Sequence, residues 1–179
     1  DNKLLFIEQA FVRDNYGGWD AEKKRQFFKE LSGLCAQHNL ELFVALHPRE
    51  ENAVNAAIRS ISNIQDYHFS RQPKMASQFK YVAGFFSTML LPFVALKKAS
   101  IYCFTHHPNG YYDMKNMFVN NHLAHEINNM EALAEYLSQQ AERVMIPLSE
   151  KHIQHFCGQT DGKAAMRAAE IILQKESTK

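Results

Sequence analysis

At 179 residues and 20.7 kDa the chain is about the size of one domain, and its 46% hydrophobic content is enough for a full core, which argues against intrinsic disorder. Twenty Lys and Arg against nineteen Asp and Glu leave a formal charge of +1, so bulk electrostatics do not steer the protein to DNA or another polyanion, and no nucleic-acid partner is expected. Cys35, Cys103 and Cys157 are widely spaced beside apolar stretches and read as reduced thiols of a cytosolic protein.

Asp1-Asn2-Lys3 leads straight into an apolar pattern with no basic stretch or cleavage site, so no signal peptide is expected and the beginning reads as cut. Leu4 to Ile7 is a short continuous apolar run of the kind that forms a strand buried on both faces. Asp20 is placed to N-cap a helix with Phe27, Phe28, Leu31, Leu34 and Cys35 on one face and Glu22, Lys23, Lys24, Arg25, Lys29 and Glu30 mostly off it, ending near His38-Asn39. Leu40 to Leu46 is the second strand, stopped at His47-Pro48 because proline lacks a ladder donor. A helix follows from about Glu50 to Ile61, on which Glu50 and Glu51 read as solvated charges.

Tyr67 to Phe69 is a weak third strand and Tyr81 to Phe85 a fourth. Ser87-Thr88 then opens an almost wholly apolar helix, Met89 to Leu96, expected to be buried all round and closed by Lys97-Lys98. Ile101 to Phe104 is the fifth strand and Ala124 to Ile127 a short sixth; helices at Met130 to Val144 and Lys163 to Lys175 make the last third mostly helical. The longest apolar run, Val82 to Leu96, contains Ser87, Thr88 and Pro92 and falls short of the roughly 20 residues of a membrane span, so none is expected.

Strands alternating with connections long enough for crossovers predict an α/β fold, a parallel sheet of five to six strands with flanking helices, in one domain over residues 1–179. In such sheets ligands bind beyond the carboxyl ends of the strands, where helix N-termini present free N–H groups to anions. Three polar junctions qualify: His47-Pro48-Arg49, Ser87-Thr88 and Thr105-His106-His107-Pro108. An imidazole at His47 could donate to a phosphate or protonate a leaving group, and it could equally be a capping histidine. Ser87 and Thr88 could bind a phosphate with hydroxyls and backbone N–H groups, or simply cap the helix.

Arg49 is read as a surface partner of Glu50 or Glu51 rather than a phosphate ligand. Neither a GxGxxG nor a GxxxxGK[ST] loop is present. The groupings His106-His107 with Asp113, His122 with His125 and Glu126, and His152 with His155 and Cys157 match no zinc pattern, so no metal or other cofactor is expected. The absence of a GxSxG elbow or a nucleophile triad disfavours a hydrolase.

Taken together, Leu46-His47-Pro48-Arg49-Glu50 and Ala83-Gly84-Phe85-Phe86-Ser87-Thr88-Met89-Leu90, on successive strand ends about forty residues apart, resemble the C-terminal, nucleotide-donor half of bacterial GT-B glycosyltransferases. The match is to the sialyltransferase and polysialyltransferase group, with its His-Pro and Ser-Ser or Ser-Thr motifs, and Leu5-Phe6-Ile7-Glu8-Gln9-Ala10 is similar to the Phe-Ile-x-Gln start of that half. The resemblance implies a Rossmann-like domain that binds a nucleotide-sugar donor such as CMP-sialic acid. It implies His47 at the donor's phosphate as hydrogen-bond donor or catalytic general acid, with Ser87 and Thr88 holding the same phosphate.

Gln9, Pro48, Gly84, His106, His107 and Asn109 are implied as nucleotide contacts, and the Asn15–Gly18 loop faces the same cleft. A glycan acceptor and a missing N-terminal domain carrying the general base are the implied partners. Trp19, Tyr111 and Tyr112 are candidate interdomain contacts, and the implied location is the cytoplasm, at the inner membrane through the missing portion. CDP-glycerol glycerophosphotransferases share the His-Pro and Ser-Ser logic, but this chain has Phe85-Phe86 where they carry Asp-Tyr. A flavodoxin-like binding module without catalysis stays open as a further reading.

Overall fold

The computed structural model describes residues 2–71, 73–96, 99–108, 110–111, 117–139, 149–159, 161, 163–164 and 166–167. The apolar runs form strands β1 (Lys3–Ile7), β2 (Glu41–Ala45), β3 (Ile64–Asp66), β4 (Tyr81–Gly84), β5 (Ser100–Phe104) and β6 (His125–Ile127). All are parallel, in the order β3-β2-β1-β4-β5-β6. Helices α1 (Ala21–Gln37) and α2 (Asn52–Arg59) join strands to one side of β1, and α3 (Leu91–Leu96) and α4 (Met117–Asn120) lie in the connections to the other side. The order therefore reverses between β1 and β4, which makes their carboxyl ends the topological switch point.

Alternate residues of each strand face opposite layers. Leu4, Phe6, Leu42, Val44, Tyr81, Ala83, Tyr102 and Phe104 join Phe28, Leu31, Leu34, Val54, Ile58 and Leu133 in one cluster, so α1, α2 and α5 (Met130–Ser138) cover that face. On the other face Phe43 meets Phe79, which meets Tyr67 and Phe93. The strands are buried almost end to end, as strands covered by two layers must be. The predicted α/β parallel sheet with flanking helices is the observed fold.

Several local expectations shift. β3 lies at Ile64–Asp66 rather than at Tyr67–Phe69, because Asn63 in the left-handed region (φ 64) turns the chain into the strand early. Tyr67 still donates its amide to the Val44 carbonyl at 2.9 Å, but its ring is committed to the core. The apolar segment after Ser87 is a 3-10 turn, Thr88–Leu90, followed by α3. Pro92 cannot donate to Thr88, so Leu91 takes that carbonyl instead and tightens the turn. The segment is not buried all round: Leu90, Phe93 and Val94 are inside, while Met89 and Leu96 are 40% and 42% exposed.

Asp20 caps α1 as expected, accepting the Lys23 amide at 2.8 Å, but Lys24 is buried. Helix α2 begins only at Asn52, and Glu50, expected in solvent, lies upstream of it and is 4% exposed. Of the helix expected at Met130 to Val144, Met130–Ser138 is formed and residues 140–144 lie outside the described set; so do 168–175 of the expected last helix and Lys97-Lys98. Cys35 and Cys103 are buried and Cys157 is half-buried, and burial pushes the Cys35 thiol up to about 12. No helix among the described residues is long and apolar enough to cross a membrane.

The chain forms two compact units, Asp1–Pro147 and Leu148–Lys179. The second contains α6 (Glu150–Cys157), capped by Ser149, whose hydroxyl accepts the His152 amide at 3.1 Å.

Candidate functional site

Ile7, the last residue of β1, is in register with Ala45 of β2 and with Gly84 of β4. The chain that leaves β1, Glu8-Gln9, is therefore flanked by the His47-Pro48 turn on one side and the Phe86-Ser87-Thr88 turn on the other. Both flanks are tied to it. Glu8 Oε2 accepts the His47 amide at 2.6 Å, and Gln9 Oε1 accepts the Phe86 amide at 3.1 Å. A Cβ at Gly84 would stand 3.1 Å from the Ile7 carbonyl, so close strand approach accounts for this glycine.

His47 is half-buried and Pro48 exposed. The imidazole Nδ1 accepts the Arg49 amide at 3.2 Å, which places the proton of the neutral ring on Nε2. Burial, and then the Arg49 charge, hold this histidine below its ordinary pKa. Its carbonyl accepts from the Glu50 amide at 3.1 Å and the Asn55 side chain at 3.3 Å, so the turn is held from both ends of the residue. Arg49 pairs with Asp14 at 3.3 Å instead of with Glu50 or Glu51.

Across the crevice, Ser87 caps the 3-10 turn with its hydroxyl oxygen accepting the Met89 amide at 3.3 Å, and Thr88 is exposed. A hydroxyl that accepts in this way still has its own proton to give.

Beneath the crevice lies a cluster that sequence reasoning missed. Lys24 of α1 reaches Glu8, Glu50 and the Gln9 carbonyl, the last at 2.7 Å. All three side chains are almost fully buried. Glu50 also accepts the amides of Val12, Arg13 and Glu51 at 3.3, 3.0 and 2.9 Å. Burial raises its proton affinity, but Lys24 and these amides outweigh it and leave the carboxyl below the usual glutamate range. Glu8 is met by the His47 amide and Lys24, and burial outweighs both and pushes it up to about 7. One signal for the cluster was present: Lys24 stands at helical spacing before Phe28, Leu31 and Cys35, on the apolar stripe itself.

His107 follows β5 and is 2% exposed. Its Nδ1 accepts the Trp19 indole N–H at 2.9 Å, and its ring packs on Phe11, Tyr16 and Phe85. Trp19, expected at a domain interface, is thus part of this core. The side chain of His106 and residues Asn109 and Tyr112 lie outside what is described, as does the side chain of Tyr111. Gly17 sits at φ +61, where a Cβ would be 2.9 Å from His107 Nδ1.

A cavity of about 500 Å³ opens beside this cluster, lined by Trp19, Phe27, Phe104 and His107 with Glu22, Lys23, Asn128 and Glu131 among its polar groups. Neither His47 nor Ser87 lines it. Ring contacts from Phe86 through Phe11 and Tyr16 to His107 and Trp19 form a continuous aromatic wall linking the crevice to the cavity. Among the described residues no three His, Cys, Asp or Glu side chains are grouped to hold a metal ion.

An imidazole N–H and two hydroxyls thus stand on the two turns that flank the exit of β1. That set is suited to an anion and to the charge that develops on a departing phosphate. A model of the alpha-2,8-polysialyltransferase (POLYST) family matches residues 1–104, a span that contains the whole crevice. Among curated proteins none matches.

Proposed function

The chain belongs to the alpha-2,8-polysialyltransferase family, whose chemistry is sialyltransferase-like glycosyl transfer, and from that premise we propose that residues 1–179 form its donor-binding domain. The donor in this reading is a CMP-activated sialic acid or a related sugar, and its phosphate lies across the β1 exit. The observation that carries the reading is the register of Ile7 with both Ala45 and Gly84, which brackets the switch point with the two motifs. With β1 between them, the backbones of β2 and β4 run about 10 Å apart. An imidazole and a hydroxyl reaching inward from that separation can meet on one phosphate.

Transfer of the sugar leaves a CMP phosphate whose negative charge grows as the glycosidic bond breaks. His47 donates through Nε2–H, and Ser87 and Thr88 donate through their hydroxyls, so all three are aimed at charge that is larger in the transition state than in the ground state. Protonated, His47 can pass its proton to the leaving phosphate oxygen. Gln9 and Gly84 shape the crevice floor, and Pro48 fixes the direction in which His47 leaves the strand. The base that activates the acceptor glycan comes from an N-terminal domain facing this crevice. No metal or other cofactor takes part in this reading.

Titration of the chain with CMP, followed by calorimetry or by NMR, tests the assignment. Saturable binding that weakens at least tenfold in both His47→Ala and Ser87→Ala supports it. Absence of binding at millimolar CMP, or binding indifferent to both substitutions, leaves a non-catalytic α/β module in which these residues are caps.

A further inference from the structure

A buried lysine flanked by two buried carboxylates is costly to assemble, because desolvation of each charge offsets much of their attraction. Replacement by apolar residues is often neutral or favourable for stability, so stability alone does not explain such a cluster. Here its members lie next to the crevice. Lys24 holds Glu8, Glu50 and the Gln9 carbonyl. Glu8 in turn holds the His47 amide, and Gln9 holds the Phe86 amide next to Ser87. Glu50 is bonded through its own amide to the His47 carbonyl.

Building on the donor-domain reading, we propose that Glu8 and Lys24 are positioning residues: the buried Glu8–Lys24–Glu50 cluster locks the exit of β1 and thereby sets His47 on one flank and the Phe86–Ser87 turn on the other. Neither residue touches substrate. Lys24 fixes the carboxylate that orients His47 and the main chain that presents Gln9, so one ammonium group registers both halves of the anion site. Preorganisation of this kind matters because donors misplaced by about 1 Å lose much of their effect on developing charge.

Two substitutions separate positioning from packing. Glu8→Gln keeps the size and shape of the side chain and removes its charge, so the chain folds. Its amide can still accept from His47, but only by turning its NH2 toward the Lys24 ammonium. Lys24→Met keeps the length of the stem and removes the charge. The readouts are amide hydrogen exchange and the nitrogen shifts of the His47 ring in the ligand-free chain, with the exposed Lys23→Met as control.

Glu8→Gln is expected to speed exchange of the His47 amide at least tenfold and to shift the ring from a single Nε2–H tautomer toward a mixture, with the Tyr102 amide in β5 unchanged. Lys24→Met is expected to do the same and also to expose the Phe86 amide. CMP affinity then falls about tenfold in each, and Lys23→Met matches the wild type. Wild-type exchange and ring shifts at His47 in a folded Glu8→Gln chain overturn the proposal, and that variant decides alone if Lys24→Met does not fold. Failure of the wild-type chain to bind CMP overturns the donor reading instead, while the ligand-free His47 readouts still decide the positioning role.

Discussion

Gln9 and Phe86, 77 positions apart in sequence, meet where the Phe86 amide donates to the Gln9 side-chain oxygen at 3.1 Å. This bond closes the switch point between β1 and β4 and aims the start of the Ser87-Thr88 turn. Gln9→Leu keeps the bulk and leaves the half-buried Phe86 amide without that acceptor, a loss of about 1–2 kcal/mol. The expected outcome is a modest drop in melting temperature with a larger, at least fivefold, loss of CMP affinity, both measurable on the chain alone.

His47 separates two roles by substitution. His47→Ala removes donor and acid together, whereas His47→Asn keeps an N–H donor and removes the acid. In the complete transferase both variants are expected to lower kcat by about 10²–10⁴, with CMP affinity retained within a few-fold only in His47→Asn. Because His47 lies below its ordinary pKa in the free chain, its imidazolium forms only on the acid side of about 6.5. A bound phosphate favours the imidazolium, so the affinity ratio of wild type to His47→Asn should grow as pH falls and level off once pH is below the free-chain pKa, where free and bound states both carry the proton. A binding series from pH 5.5 to 8.5, on the order of three pH units, checks this, and the phosphate's own titration cancels in the ratio.

Glu8 gives the stability curve a sign opposite to that of an ordinary ion-paired carboxylate. Its folded pKa, about 7, lies above the unfolded value of 4.5, so between those values the folded chain keeps a proton that the unfolded chain has lost. Stability from this group is then lost as pH rises from 4.5 to about 7 and is constant beyond. Glu50, whose pKa is lowered, acts in the other direction, losing stability as pH falls below the usual glutamate range. The difference in unfolding free energy between Glu8→Gln and wild type should shift in favour of the variant across the interval from 4.5 to 7, by on the order of 1–3 kcal/mol. Urea unfolding at a series of pH values measures it.

Gly17 is held at φ +61 with the His107 imidazole against its α-carbon. Gly17→Ala meets both an unfavourable backbone region and a 2.9 Å contact with His107 Nδ1, the atom that accepts the Trp19 indole N–H. A loss of about 2 kcal/mol is expected, visible as a fall of roughly 4–8 °C in melting temperature for a chain of this size. Trp19→Phe retains most of the packing, so its loss should be smaller, with the His107 ring resonances shifted by the missing donor.

Period and punctuation were enough for the frame. Leu4 to Ile7, Leu42 to Leu46 and Ile101 to Phe104 are apolar on successive residues, as suits a doubly covered strand, and proline after His47 marks where the second one must end. The His-Pro and Ser-Thr pairs were legible as strand-end chemistry because the alternation of elements puts both at carboxyl ends. The third strand shifted by a few residues because the left-handed turn at Asn63 is a backbone choice that residue type permits without requiring it.

What the linear pattern left open was pairing across distance. Glu50 reads as a surface charge in any window around it; it is buried because Lys24, 26 residues earlier, and three loop amides converge on it, and desolvation makes such partners obligatory only once the fold has closed. Trp19 and His107, 88 positions apart, become one hydrogen-bonded core pair for the same reason. Local sequence thus set which segments are strands, helices and turns, since those follow from steric and hydrophobic periodicity. Tertiary structure alone decided which charges lie inside and which strand end faces which, because burial and hydrogen-bond satisfaction depend on groups the chain brings together only when it folds.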